Sequence, residues 1–295
     1  MFEFLDISPQ VFFGQLMLGF INGSFYAILS LGLSIIFGLL NIINFTHGAQ
    51  YMLGAFVAWM LLAYLGIGYW WALLLAPIIV GGLGMIVERL LISKLYHLDH
   101  LYGLLLTFGL ALILQGVLRN AYGVSGLSYS APPQLIGGQN LGFMYLPNYR
   151  LWAAIVALTV CVATWFLIEK TRFGGYLRAA NENPVLLGAF GVNVPRMLTL
   201  TYGFGVALAA FAGVLAAPIY SVNANMGADL LIIVFAVVVI GGMGSILGSV
   251  LTGLGLGLVE GLTKVVYPEA SSVIIFVIMA IVLLVKPAGL FGRTV

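Results

Sequence analysis

The sequence predicts an all-α fold: a polytopic helical bundle integral to a membrane. Composition is the first reason. Of 295 residues, 62% are hydrophobic and only 7% charged, with a mean hydropathy of +1.15. A soluble domain carries about 25% charge, so too few charged groups remain here to coat a water-facing surface. The second reason is pattern. Backbone groups cannot hydrogen-bond to lipid, so only helices and closed barrels span membranes. The apolar runs are long and do not alternate as barrel strands would. A spanning helix needs roughly 20 residues, which leaves room for about eight to ten membrane segments.

The apolar segments run at roughly 11–31, 32–43, 46–66, 69–93, 101–118, 150–168, 196–217, 230–241, 245–264 and 271–286. Glu3 and Asp6 precede the first, with no basic residue. A cleaved signal peptide starts positive, so this segment is expected to remain as a span. Segments 32–43 and 230–241 hold about a dozen residues each and read as half-helices or re-entrant pieces, with 11–43 either one bent helix or two pieces. Similar punctuation follows both. Asn41-Ile-Ile-Asn44-Phe-Thr-His47-Gly48 precedes a helix expected near Ala49, and Gly241-Gly242-Met-Gly244-Ser245 precedes one near Ile246. Paired interruptions in the two halves of a chain point to a binding or translocation path near the midplane.

Polar residues inside the spans are the candidates for that path. His47 and Gln50 fall on one helical face with Gly54 and Ala58. Polar side chains in a membrane usually face the bundle interior or a wet cavity. They therefore either line a path or supply interhelical hydrogen bonds of about 0.6–2 kcal/mol that hold a broken helix. Asn22, Tyr26 and Ser30 form a second stripe with the same two readings, and Asn44 sits in the first break. Gly253, Gly257 and Gly261 repeat at four-residue spacing, which lets helix backbones approach closely. Glu260 with Lys264, and Glu88 with Arg89, read as markers of helix ends at the interface.

Basic residues set the sidedness. Eight of the eleven lie in three regions: Arg89 and Lys94; Lys170, Arg172, Arg178 and Arg196; Lys286 and Arg293. The positive-inside rule makes those regions cytoplasmic and the 119–149 loop external. An even number of crossings places the tail with the other two only if 230–241 also crosses.

Other function classes find little support. The single cysteine, Cys161, excludes an internal disulfide and a Cys/His zinc set. The histidines at 47, 97 and 100 form no metal motif, no nucleophile–base set is present, and a net charge of +2 gives no reason to expect nucleic acid. No polar stretch is long enough for a soluble domain, so residues 1–295 form a single transmembrane domain.

The most polar stretch, 169–195, contains a short helix with defined ends. Asn183 suits the N-cap, Pro184 the first helical position, and Gly191 the left-handed residue beyond the last turn. About seven residues make a marginal helix in water, so it must lie on headgroups or dock into a partner.

A family resemblance bears on that choice. Arg178-Ala179-Ala180, Glu182-Asn183-Pro184 and Gly188-Ala-Phe-Gly191-Val-Asn193 resemble the cytoplasmic coupling loop of ABC-importer permeases, specifically branched-chain amino acid permeases of the LivH type. The same family resemblance appears in Gly32 through Gly54, Gly241 through Val250, and the tail Lys286-Pro-Ala-Gly-Leu-Phe-Gly292. The chain departs at Thr46, where the family more often has Ala, and at Ala49 or Gln50, where it often has Glu. The resemblance implies a transmembrane subunit for branched-chain or other aliphatic amino acids in a bacterial or archaeal cytoplasmic membrane. It implies two separate cytoplasmic ATPases that bind ATP and Mg, with no cofactor on this chain. It further implies a second homologous permease and an extracytoplasmic substrate-binding protein. The competing expectation is an ATP-independent secondary transporter or channel for small polar solutes such as urea or amides. A coupled transporter would usually need an intramembrane ionisable site, and the spans offer only His47 and Glu260.

Overall fold

The computed structural model describes residues 8–40 and 43–292. Glu3, Asp6, Arg293 and the first two residues of the Asn41–Gly48 punctuation lie outside the described residues. The helices are α1 (Pro9–Leu40), α2 (Thr46–Leu65), α3 (Tyr69–Leu90), α4 (His100–Tyr122) and α5 (Asn148–Lys170). They continue with α6 (Arg172–Glu182), α7 (Pro184–Ala189), α8 (Val194–Ala216), α9 (Met226–Gly241), α10 (Ile246–Val266) and α11 (Ile274–Val285). A two-stranded antiparallel hairpin, β1 (Gly138–Asn140) and β2 (Tyr145–Pro147), closes the loop before α5, with Gln139 opposite Leu146.

Among the described residues, seven helices are long and apolar enough to cross a membrane, and α9 and α11 are shorter apolar helices. Two expected boundaries are corrected. Segment 32–43 is not a half-helix, because α1 runs unbroken for 32 residues to Leu40. Gly32 does not interrupt it but lets α8 approach: a Cβ there would lie 2.8 Å from the Gly205 carbonyl oxygen. Segment 230–241 lies in the short helix α9, of 16 residues, and the expected span 271–286 is short as well: α11 has 12 residues and spans about 18 Å.

Helix α1 is the axis of the bundle. In its most apolar window 83% of residues are buried, against 17% in the peripheral α4. Its closest neighbour is the antiparallel α10, and glycines set that distance. A Cβ on Gly257 would lie 2.5 Å from both Gly19 O and Gly23 N, and one on Gly253 would lie 2.7 Å from Ala27 N. Hydroxyls extend the seam, with Ser30 donating to Ser249 O at 3.2 Å and Ser34 to Ser245 O at 3.4 Å. Lipid tails are as apolar as leucine, so such close packing and hydrogen bonding replace the hydrophobic effect as the adhesive.

The tail fixes the crossing of α9. Leu290 N–H donates to Ile240 O at 2.8 Å and Phe291 N–H to Gly241 O at 3.2 Å. Tail, α9–α10 turn and α6 also line one cleft, through Phe291, Gly244 and Arg178. Helices α8 to α11 therefore alternate in direction between the two ends of the bundle and return the chain to the end that carries α6 and α7. The described members of the three basic regions gather at this basic end, while Arg119, Arg150 and Lys264 lie toward the opposite one.

Candidate functional site

The first interruption precedes α2, and its described residues, 43–45, lie inside the bundle with the start of α2. Asn44, Thr46, His47 and Gln50 are all buried. Asn44 Oδ1 accepts from Thr46 N–H at 3.1 Å and also from the Thr46 hydroxyl. Asn44 Nδ2 donates to Gln50 Oε1 at 3.3 Å. Gln50 Nε2 donates to the Thr46 hydroxyl at 3.0 Å and the Tyr202 hydroxyl of α8 at 3.1 Å. On the far side, Phe45 N–H donates to Thr107 Oγ1 of α4 at 3.2 Å. His47 Nε2 lies 2.9 Å from Leu29 O, about three turns before the end of α1, so the break reaches roughly 16 Å into the bundle. A broken helix exposes backbone polar groups that lipid cannot satisfy, and here side chains from neighbouring helices do so. Tyr202, fully buried at the hub, was not singled out by the sequence, because its partners Gln50 and Thr46 lie about 150 residues away along the chain.

Asn22 and Tyr26 are placed elsewhere. The Tyr26 hydroxyl donates to Glu260 Oε2 at 2.7 Å, and Lys264 Nζ contacts Glu260 Oε1 at 2.5 Å. Asn22 Oδ1 accepts from the Tyr220 hydroxyl at 3.5 Å. This cluster sits toward the end opposite the one that carries α6 and α7.

Gly241, Gly242, Gly244 and Ser245 form a turn between α9 and α10 at the basic end, so they do not meet the first interruption at a shared midplane. Gly242 (φ +95°) and Gly244 (φ +83°) take left-handed conformations that favour glycine. Ser245 Oγ caps α10 by accepting from Gly248 N–H at 3.1 Å. The turn borders the cleft of about 470 Å³ that α1, α5, α6 and the tail share.

The polar stretch 169–195 holds two helices where the sequence predicted one. Helix α6 was not predicted: Gly174 and Gly175 depress its propensity. It forms because tertiary contacts override that cost, with Leu177 and Ala180 buried and Gly174 pressed against Ile168 O. Arg178 Nη1 donates to Ile168 O at 3.2 Å and to Glu169 at 3.3 Å. Both side chains of the ion pair are nearly half exposed, so it adds little stability. Ala179 is half-buried beside them.

Helix α7 has the predicted ends. Asn183 Oδ1 accepts from Leu186 N–H at 2.9 Å, Pro184 opens the helix, and Gly191 has φ +84°. Leu187 turns inward and is 7% exposed, whereas Val185 and Phe190 are 82% and 77% exposed and Leu186 also faces out. Glu182 and Gly188 are exposed, and a Cβ on Gly188 would meet no other atom. One residue, Thr171, joins α6 to α5, and Asn193 caps α8 by accepting from Arg196 N–H at 3.1 Å. The hairpin is thus tied directly to two spans.

Seven helices long and apolar enough to cross a membrane, among the described residues, with one polar interruption inside the bundle and a folded hairpin at its basic end, define a multi-pass membrane protein. Residues 16–283 match the family described as "Branched-chain amino acid transport system / permease component", and the chain belongs to that family. It is 31% identical to the high-affinity branched-chain amino acid transport system permease protein LivH of Escherichia coli K12, covering 99% of this chain and 97% of that one. It is 30% identical to the corresponding protein BraD of Pseudomonas aeruginosa, covering 95% of each. Identity to the permease LivM of Escherichia coli K12 is 26%, over 91% of this chain and 68% of that one. No solved structure matches.

Proposed function

We propose that the chain is one of two transmembrane subunits of an ABC importer that moves branched-chain or related aliphatic amino acids inward. The observation that carries this is the α6–α7 hairpin. It presents Val185, Leu186 and Phe190 to solvent and is joined by one residue to α5 and by four to α8. A short capped helix with an apolar outer face suits the groove of a cytoplasmic ATPase. Arg178, Ala179, Ala180, Glu182, Asn183, Pro184, Gly188 and Gly191 build that contact. ATP and Mg belong to two partner ATPases, and this chain carries no cofactor and performs no reaction. ATPase closure would move α5 and α8 as rigid bodies.

The names of the relatives support the cargo, and the likeness to both LivH and LivM supports a second, homologous permease chain. A substrate-binding protein would deliver at the end carrying Lys264 and the β-hairpin. The basic end faces the cytoplasm of a bacterium or archaeon. Asn22, Tyr26, Asn44, His47 and Gln50 border the path when the bundle opens. The test is reconstitution with candidate ATPases and binding protein in liposomes. Uptake of leucine, isoleucine or valine that requires internal ATP is expected. ATP-independent uptake by the chain alone would overturn the proposal.

A further inference from the structure

Glu88 is read from sequence as an interface marker, because Arg89 follows it near a helix end. Its position is different. The side chain is buried, 1% exposed, on the inner face of α3. Its Oε1 accepts from the Tyr96 hydroxyl at 2.5 Å and its Oε2 from the Thr199 hydroxyl at 2.6 Å. No basic side chain pairs with it among the described residues. Carboxylates are rarely fully buried without a cationic partner, because burial penalises the charge. Two short hydroxyl contacts are what this one has instead. Thr199 could also donate to Pro195 O in its own helix, at 3.1 Å, but the carboxylate is the nearer acceptor.

The three residues join separate elements. Glu88 lies near the end of α3. Tyr96 follows the 3₁₀ turn Ile92–Leu95 that links α3 to α4. Thr199 is in the second turn of α8, the helix that leaves the coupling hairpin. Three residues on, Tyr202 accepts from Gln50 at the α1–α2 break. Residues three apart share a helical face. One face of the base of α8 therefore carries two polar clamps, one to α3 and its linker and one to the break.

We infer that Glu88 is a positioning residue for energy coupling: through Thr199 and Tyr96 it makes α3 and the α3–α4 linker move with α8 when the hairpin is displaced. This rests on the ABC-importer reading. Without the clamp, α8 moves alone, and ATPase cycles are spent without completing the passage of substrate.

The test reads uptake and ATP hydrolysis together in liposomes holding the full transporter and its binding protein. Glu88→Leu removes both acceptors. Tyr96→Phe and Thr199→Val each remove one donor while keeping size, and serve if Glu88→Leu does not assemble. Glu88→Gln keeps an acceptor and the shape. Substrate moved per ATP is expected to fall about fivefold or more in Glu88→Leu and in the Tyr96→Phe, Thr199→Val double variant. Glu88→Gln should recover most of it. Hydrolysis and ATPase co-purification should stay within about twofold of the parent throughout, a split that simple misfolding does not produce. An unchanged uptake-to-hydrolysis ratio in the assembled double variant overturns the inference. Uptake by the parent that ignores ATP overturns the importer reading instead, whatever the variants do.

Discussion

Gln50 of α2 donates to the hydroxyl of Tyr202 in α8 across 3.1 Å, and both side chains are buried. This contact ties the start of α2, directly after the chain's first interruption, to the helix that emerges from the hairpin. The break in the membrane and the hairpin outside it are mechanically adjacent.

Tyr202→Phe keeps the ring and deletes the hydroxyl at that hub. Hydrogen bonds between membrane helices contribute about 0.6–2 kcal/mol, so a loss of that size is expected. Thermal unfolding in detergent should show a lowered midpoint, and Gln50→Leu should lower it further, because Gln50 also holds Asn44 and Thr46; the two losses should sum to less than their separate effects, since one bond is shared.

The α1–α10 seam predicts a sharp contrast between neighbouring glycines. A Cβ on Gly257 would press on the backbone of Gly19 and Gly23, whereas one on Gly255 meets open space. Gly257→Leu is expected to abolish recovery of folded protein by size-exclusion chromatography. Gly255→Leu should elute like the parent.

Helix α7 separates docking from folding. Val185→Asp and Phe190→Asp alter side chains that are 82% and 77% exposed, so stability should change by less than about 0.5 kcal/mol. Co-purification of the ATPases should nevertheless be lost. Leu187→Asp buries a charge and should lower the melting temperature by itself.

At the opposite end, Lys264→Met leaves the carboxylate of Glu260 with only the Tyr26 hydroxyl. Stranding one partner costs more than removing both. The Glu260→Gln, Lys264→Met double variant should therefore be more stable than Lys264→Met alone, in the same melting assay.

The sequence displayed the spans because their apolar runs are long, and the ends of α7 because Asn183, Pro184 and Gly191 act locally. It did not display α6, whose helix depends on burial of Leu177 and Ala180 rather than on propensity. It suggested a break at Gly32, although that glycine serves contact with α8. Glu88 looked like an interface residue because the partners that enclose it, above all Thr199, lie far along the chain. Asn22, Tyr26, Asn44, His47 and Gln50 were visible as polar residues in apolar runs. Their division into separate clusters depends on how helices pair, which no local pattern encodes.

The enclosure of α1 has a consequence for biosynthesis. This helix leaves the ribosome well before α10, and Tyr26 meets Glu260 only after 234 further positions have been translated. Until α10 arrives, the hydroxyl, amide and glycine groups of α1 have no seam to close against. The growing chain must hold that polar face in the insertion machinery or against provisional neighbours. Truncation before α10 should leave the earlier helices inserted but open to membrane proteases, so quality control of this subunit waits on the arrival of α10.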